Sequence, residues 1–373
     1  MKLYDLINEL LEKDPYYLSK SEKDRQILHL LKKLIGYHRR NCEKYNIWYK
    51  RNSFKEPSQI HDLSEIPFLP SSVFKHIDLR SVSDKVKIIK SSGTSSKLRS
   101  SIFIDSKTSQ FQTKALTKIL VSILGKRRRP FFIVDCKPVK AGGKNGTLSA
   151  RFAGISGYLM AASSRDYLLS QDENGNLFLN DNKVQKMIKY SRKGPIVIIG
   201  YTYMLWQYLL NKKNVTQFEM SSYKKNRLIH FGGWKKLAEK KISKNILNKH
   251  IKNQLNIDEE FIFDIYGFTE QLGTVYVSSG DKGCRVSSYS NVLVRDVNTL
   301  KVVPDGDIGL LQFLSPIQLS YPGFSILNDD LGTINNRYTD SMGHEIIEFD
   351  ISKRLLKAEN RGCGDTLPDN YYI

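Results

Sequence analysis

The chain has 373 residues, 40% apolar and 26% charged, with 20 Tyr and 17 Phe. These proportions belong to a folded globular protein and exclude disorder, a collagen repeat and a small disulfide scaffold. No run of 18 apolar residues occurs, which excludes a spanning helix, and 58 basic against 38 acidic side chains leave a net charge of +20.

Such a charge speaks of partners and solubility rather than of fold. It suits an acidic partner (nucleic acid, anionic membrane, nucleotide or acidic carrier protein) or simply a lysine-rich solvated surface. It is uneven: the last 73 residues hold 6 basic and 11 acidic side chains, so the excess lies in the first 300. The tightest cluster is Lys126-Arg127-Arg128-Arg129. No helix-turn-helix, zinc-finger or single-stranded-RNA motif accompanies it, so no nucleic-acid partner is expected. The amino terminus is amphipathic and carries acids, unlike a secretory signal, and the expected location is cytoplasmic. Cys42, Cys136, Cys284 and Cys363 form no CxxC and have no His at zinc-ligand spacing.

In chain order, Ser21-Glu-Lys-Asp24 reads as a capping box. It opens one long amphipathic helix carrying Ile27, Leu31, Leu34, His38, Cys42, Tyr45 and Tyr49 at 3–4 spacing. A connector with Pro57, Pro67 and Pro70 follows. Strands are expected at 86–89 and 101–104, with the small-residue loop Ser91-Ser-Gly-Thr-Ser-Ser96 between them. Residues 106–124 read as a helix with Gly125 as its cap. Apolar strands at 130–135, 195–200, 228–231 and 261–265 alternate with helices at about 182–191, 202–212 and 236–254. Together these indicate a buried, largely parallel α/β sheet. Beyond about 280, short strands and Gly, Asp and Pro turns indicate a β-rich subdomain.

Five constellations could carry chemistry. A Ser/Thr/Gly loop at 91–96 can turn several N–H and hydroxyl groups on one anion, although a solvated turn looks the same in sequence. Tyr266-Gly267-Phe268-Thr269-Glu270 follows a strand, where α/β sheets collect ligands. An acid there can hold Mg²⁺ against a phosphate and an aromatic can stack on a purine; a plain strand-to-helix turn is the alternative. His230-Phe-Gly-Gly-Trp234 also follows a strand, and its glycines admit a flat ligand or merely make a tight turn. Asp329-Asp330-Leu-Gly332 can offer a carboxylate to two ribose hydroxyls or form an Asx turn. Cys363, between Gly362 and Gly364 with Arg354, Lys357 and Arg361 nearby, is either an activated thiol or an incidental one on a frayed tail.

The order Ser-Ser-Gly-Thr, Gly-Gly-Trp, Tyr-Gly-Phe-Thr-Glu, Gly-Asp-Ile-Gly-Leu-Leu, Asp-Asp-Leu-Gly resembles the adenylate-forming superfamily of acyl-CoA synthetases, adenylation domains and firefly luciferase. Within it, Pro15-Tyr-Tyr-Leu-Ser19, His38, Cys42-Glu-Lys-Tyr45, His230-Phe-Gly-Gly-Trp-Lys-Lys-Leu237 and the late cysteine resemble the acyl-protein synthetases of bacterial luminescence, the fatty-acid–luciferin-component ligases. The resemblance covers essentially the whole chain. It implies an α/β fold: a large domain of layered α/β sheets with a β-rich subdomain and a truncated C-terminal domain. The expected divisions are an N-terminal helical segment and connector at 1–80, a nucleotide- and acyl-binding core at 81–280, the β-rich subdomain at 281–350 and a tail at 351–373.

The same resemblance implies ATP and Mg²⁺ as cofactors. Ser91, Ser92, Gly93, Thr94 and Ser95 fall on the phosphate loop, with Arg99 in the place of its usual Lys. Gly232, Gly233 and Trp234 would line the adenine and acyl pockets, and Tyr266 with Gly267 would flank adenine. Thr269 would meet the α-phosphate, Glu270 would bind Mg²⁺, Asp330 would hold the ribose, and Arg354 falls on the hinge-proximal pair. Catalysis would centre on Thr94, Glu270 and the acylated thiol of Cys363. Ser96, Leu98 and Lys353 depart from the usual Gly, Pro and Gly. The implied reaction activates a fatty acid or other carboxylic acid as acyl-AMP, with loss of pyrophosphate. The acyl group then passes through a Cys363 thioester to a partner such as an acyl reductase or an acyl carrier protein. A coenzyme A or carrier-protein ligase of the phenylacetate type, and a non-catalytic nucleotide-binding homologue, are the alternatives.

Overall fold

Ser19, rather than Ser21, starts the long helix: its side chain accepts the N–H of Glu22, and the helix runs Lys20–Asn41. Asp24 is drawn instead to Lys20 and to the Asn291 amide. The continuous periodicity also conceals a break. Cys42 is extended (φ −134°, ψ 98°), and a second helix, Glu43–Arg51, follows it. Both helices bury the expected face, Ile27 to His38 on one and Tyr45, Trp48 and Tyr49 on the other. The computed structural model describes residues 2–83, 85–91, 99–138, 154–210, 225–234 and 241–354, the side chains of 353 and 354 excepted. The described residues form two compact units. One draws on 1–119, 267–276 and 285–373, the other on 120–266 and 277–284.

In the first unit the N-terminal helices enclose an aromatic cluster centred on His38, whose ring stacks on Phe324 at 5.4 Å. His38 Nε2 donates to the Gln318 carbonyl at 3.2 Å, so Nδ1 accepts from the Ser81 hydroxyl at 2.7 Å and the ring is neutral. Burial pushes its pKa down to about 3, the Gln318 carbonyl opposing. The unfolded chain, titrating near its ordinary value of about 6.5, therefore binds a proton that the folded chain refuses. His230, also lowered by burial, adds in the same direction. Stability should fall as pH drops below about 6.5, by about 1.4 kcal/mol per pH unit for His38 between that value and about 3. Urea unfolding at pH 7.5, 6 and 5 should show this slope. His38→Gln should lower stability at pH 7.5 yet flatten the slope by one proton; an unchanged slope would place the pH dependence elsewhere.

The same unit carries the β-rich part as an antiparallel ladder of Asn291–Arg295, Gly309–Leu314, Ser325–Thr339 and Glu345–Arg354. One of its strands is not short: Ser325–Thr339 spans 15 residues, and register shifts at Leu331/Gly332 and Ile334/Asn336 break its pairing. Gly332 lets the strands close there, since a Cβ would stand 2.2 Å from the Asp350 carbonyl. Strands Lys87–Lys90 and Ser101–Ile104 pair antiparallel as a separate hairpin.

The second unit is an α/β sheet with four strands where the apolar runs predict them and two, Ala162–Gln171 and Leu177–Leu179, that they do not. Its order is Leu177–Leu179, Ala162–Gln171, Arg129–Cys136, Val197–Tyr201, Arg227–Phe231, Ile262–Tyr266. All neighbours are parallel except the first pair. Phe131, Phe132, Ile133, Ile198, Ile199 and Ile229 are fully buried, as strands covered on both faces require. Helix Ser106–Leu124 ends at Gly125 (φ +82°) as expected. The segment after Thr202 departs from a plain helix: Thr202–Met204 passes into a π-turn, Leu205–Leu210. The last helix begins later than its apolar pattern suggests, at Lys244, where the Ser243 hydroxyl accepts the Ile246 N–H. Among the described residues no helix is long and apolar enough to cross a membrane.

Candidate functional site

In the second unit, parallel register aligns Tyr201 with Phe231 and Phe231 with Ile265. The carboxyl ends of three strands thus lie side by side and bring Thr202, Gly232-Gly233-Trp234 and Tyr266 to one edge, where such sheets bind ligands. Gly232 has φ +74°, and a Cβ there would meet the Tyr201 ring at 3.1 Å; at Gly233 the space is open among the described residues. Trp234 is buried with its ring 5.8 Å from Trp206, which in turn meets His250 edge-on. Alternation along the strands puts His230, Asp264 and Tyr266 on one face, while Phe231 turns to the other against Tyr201 and Tyr158.

The buried His230 and Thr202 form a polar group with the half-exposed Asp264 that the sequence did not disclose. Thr202 Oγ1 lies 3.4 Å from the Phe231 carbonyl and 3.0 Å from His230 Nδ1. The hydroxyl donates to the carbonyl and accepts the Nδ1 proton, which also faces Asp264 Oδ1 at 3.5 Å. Burial lowers the His230 pKa against the pull of Asp264, with Lys244 adding to the lowering, and keeps the ring neutral.

The first unit holds the acidic half of the Tyr-Gly-Phe-Thr-Glu motif. Thr269–Gln271 is a short 3-10 turn in which Glu270 and Gln271 are buried. It is held from three sides. The Tyr321 hydroxyl donates to the Glu270 carbonyl at 3.1 Å. Gln271 Nε2 donates to the carbonyls of Phe313 and Gly323, each at 2.9 Å. A Cβ at Gly323 would come within 2.7 Å of the Glu270 carbonyl and 2.3 Å of the Tyr321 ring. Burial, then the neighbouring Glu270, pushes the Tyr321 phenol well up, so it stays a neutral donor. Gln271, Tyr321 and Gly323 escaped the sequence reading because their partners lie 42 to 52 residues away.

Asp330 accepts from Asn328 Nδ2 at 3.3 Å, and its backbone pairs in register with that of Arg354 across the antiparallel ladder. The two expected hinge and ribose positions are therefore direct neighbours along the chain's last described strands. At the phosphate-loop position, Ser91 N–H donates to the Ser100 carbonyl and Ser91 Oγ accepts the Ser100 N–H, both at 3.0 Å, closing the hairpin base. Arg99 is exposed beside it. Ser92, Gly93, Thr94, Ser95 and Cys363 lie outside the described residues. Among the described residues no three His, Cys, Asp or Glu side chains cluster as a metal cage. A single buried carboxylate such as Glu270 suits Mg²⁺, which keeps waters and phosphate oxygens and takes one or two carboxylates.

The fold is that of the adenylate-forming ligases. A 2-hydroxyisobutyryl-CoA ligase solved with 2-HIB-AMP and CoA aligns over 91% of this chain and 76% of its own length, at a TM-score of 0.62 and 14% identity. The family described as acyl-protein synthetase, LuxE, matches residues 3–372, and the chain belongs to that family of ligases. Two relatives are long-chain-fatty-acid–luciferin-component ligases. That of Vibrio harveyi is 22% identical over 94% of this chain and 89% of its own length. That of Aliivibrio fischeri is 29% identical over 47% of this chain, and the match spans about half of that relative, 46%.

Proposed function

We propose that the protein joins a fatty acid to AMP at the expense of ATP and then moves the acyl group through its own Cys363 to a partner protein. The observation that carries this reading is the buried Thr269–Gln271 turn, held rigid around one carboxylate, in a chain that matches the acyl-protein synthetase family from end to end. In the first half-reaction the fatty acid carboxylate attacks the α-phosphorus of ATP and pyrophosphate leaves. The chain's own part is positioning and charge. The loop beginning at Ser91 receives the phosphates, Thr269 meets the α-phosphate, and Glu270 holds Mg²⁺, which when bound neutralises phosphate charge. Tyr266 and the Gly232-Gly233 backbone flank adenine, and Asp330 accepts the ribose hydroxyls. In the second half-reaction the Cys363 thiolate attacks the acyl carbonyl of the mixed anhydride, a thioester forms and AMP departs. An acyl reductase or an acyl carrier protein then takes the acyl group.

Intact mass after incubation with Mg-ATP and a panel of fatty acids tests this. Wild type should gain one hydroxylamine-labile acyl group, and Cys363→Ser should gain none while still exchanging pyrophosphate into ATP. If neither protein gains mass but both exchange, the acceptor is external, as in a coenzyme A or carrier-protein ligase. If neither exchanges with any acid, the adenylation reading itself fails.

A further inference from the structure

The cluster Lys126–Arg129 has no part in the chemistry above, yet the fold enlarges it. Strands Arg129–Cys136, Val197–Tyr201 and Arg227–Phe231 run parallel side by side in the second unit. Their amino ends therefore share one edge, opposite that of Gly232 and Tyr266. Three separate stretches meet there: Lys126 to Arg129, Arg192-Lys193, and Lys225 to Arg227. Lys126, Arg127, Arg128, Arg192, Lys193 and Lys225 are exposed. Arg129 and Arg227 are half-buried and fixed. Arg129 Nη1 donates to the Lys225 carbonyl at 2.6 Å, Arg227 Nε donates to the Ile123 carbonyl at 3.3 Å, and the Arg227 guanidinium lies 3.8 Å over the Phe261 ring.

Among the described residues, no ion pair involves Lys126, Arg127, Arg128, Lys193 or Lys225. The acids at the start of the next strand are Asp258, Glu259 and Glu260. Asp258 is taken by Lys252 at 3.3 Å, and Glu260 only partly offsets the cations: burial and then Arg129 push the Arg227 pKa down to about 10. Like charges crowded in this way repel, and an anion laid across the edge would relieve them. The shape argues for an extended anion. The cations stand in a row of strand beginnings, on long exposed side chains. The exposed apolar residue five positions before Lys126 is the aliphatic Val121, and the aromatic at this edge, Phe261, has a face covered by the Arg227 guanidinium rather than open to a base.

We propose that this basic edge docks the protein onto the surface of an anionic lipid bilayer. Clusters of four to eight Lys and Arg bind such surfaces through their negative potential, within a Debye length. A long-chain acid, the substrate under the function proposed above, dissolves in that bilayer, and the carboxyl edge of the sheet would then face away from it.

Co-sedimentation of the full chain with phosphatidylcholine vesicles, with and without about 30% phosphatidylglycerol, measures docking without any substrate, so it stands apart from the test of the reaction. Binding should need the anionic lipid and vanish when salt rises from about 0.1 M to about 0.5 M. The triple variant Lys126→Glu, Arg127→Glu, Arg128→Glu should bind about a hundredfold more weakly. Its pyrophosphate exchange with a soluble short acid should be unchanged. Lys44→Glu, Lys50→Glu, Arg51→Glu, three exposed cations of the first unit, makes the same change in net charge and should bind as wild type does. Equal losses in the two triple variants, or binding indifferent to phosphatidylglycerol, would overturn the proposal. So would displacement from the vesicles by stoichiometric short RNA at physiological salt, which would assign the edge to a nucleic acid.

Discussion

Glu270→Gln is expected to lower ATP–pyrophosphate exchange about a thousandfold while leaving the fold as stable as before or slightly more so. The turn at Thr269–Gln271 is shaped by backbone: the Glu270 carbonyl, not its side chain, takes the Tyr321 hydroxyl, and the neighbouring Gln271 amide ties it to Phe313 and Gly323. An isosteric amide leaves these bonds intact. It removes one buried negative charge while keeping the shape of the side chain, and carrying a charge into the interior costs solvation. Under the proposed reaction, what is lost is the ligand for Mg²⁺ at the phosphates, where charge stabilisation in a dry site is worth about 3–4 kcal/mol. Exchange assays paired with urea unfolding decide it. A structural acid would lose stability in step with activity, and retention of exchange would remove Glu270 from the site.

Gly323→Ala should do the reverse, by unfolding before it impairs chemistry directly. Its φ does not lie in the left-handed region, so the objection is steric rather than conformational. A Cβ would stand 2.3 Å from the Tyr321 ring, which is fully buried, and 2.7 Å from the Glu270 carbonyl, which is backbone. Neither neighbour can swing away. Overpacking of this kind costs about 3 kcal/mol, which urea unfolding would read directly. Exchange by the remaining folded protein should fall too, because relief of the clash displaces the segment that holds Glu270. A variant of native stability would mean that the Tyr321–Glu270 contact is looser than its geometry.

The two expectations differ in where they could be read. Glu270 stands in a five-residue motif after an apolar strand and was visible in the linear chain. Gly323 was not, since Tyr-Pro-Gly at 321–323 looks like any surface turn until it is seen against residue 270, 53 positions earlier. His230 shows the same divide. Its place before Gly232-Gly233 was plain, but its bond to Thr202, 28 residues back, arises only when two parallel strands come into register.

By itself the sequence determined what local spacing can determine. Period 3.6 located the helix at 106–124 and its Gly125 cap, continuous apolar runs located four of the parallel strands, and the order of five motifs was enough to indicate the superfamily. These signals survive because helix and strand bury faces set by neighbours within a few residues. Where a local signal failed, a stronger distant one had won. The helix expected from 21 to 49 breaks at Cys42, and Tyr45 and Phe324 close around His38. Tertiary structure alone decided that residues 267–276 join the unit built from the two ends of the chain. It alone set Asp330 opposite Arg354, and it alone gathered three scattered basic stretches on one sheet edge. Each of these depends on which strand pairs with which, a choice made by closing loops of tens of residues, and nothing in a short window of sequence records it.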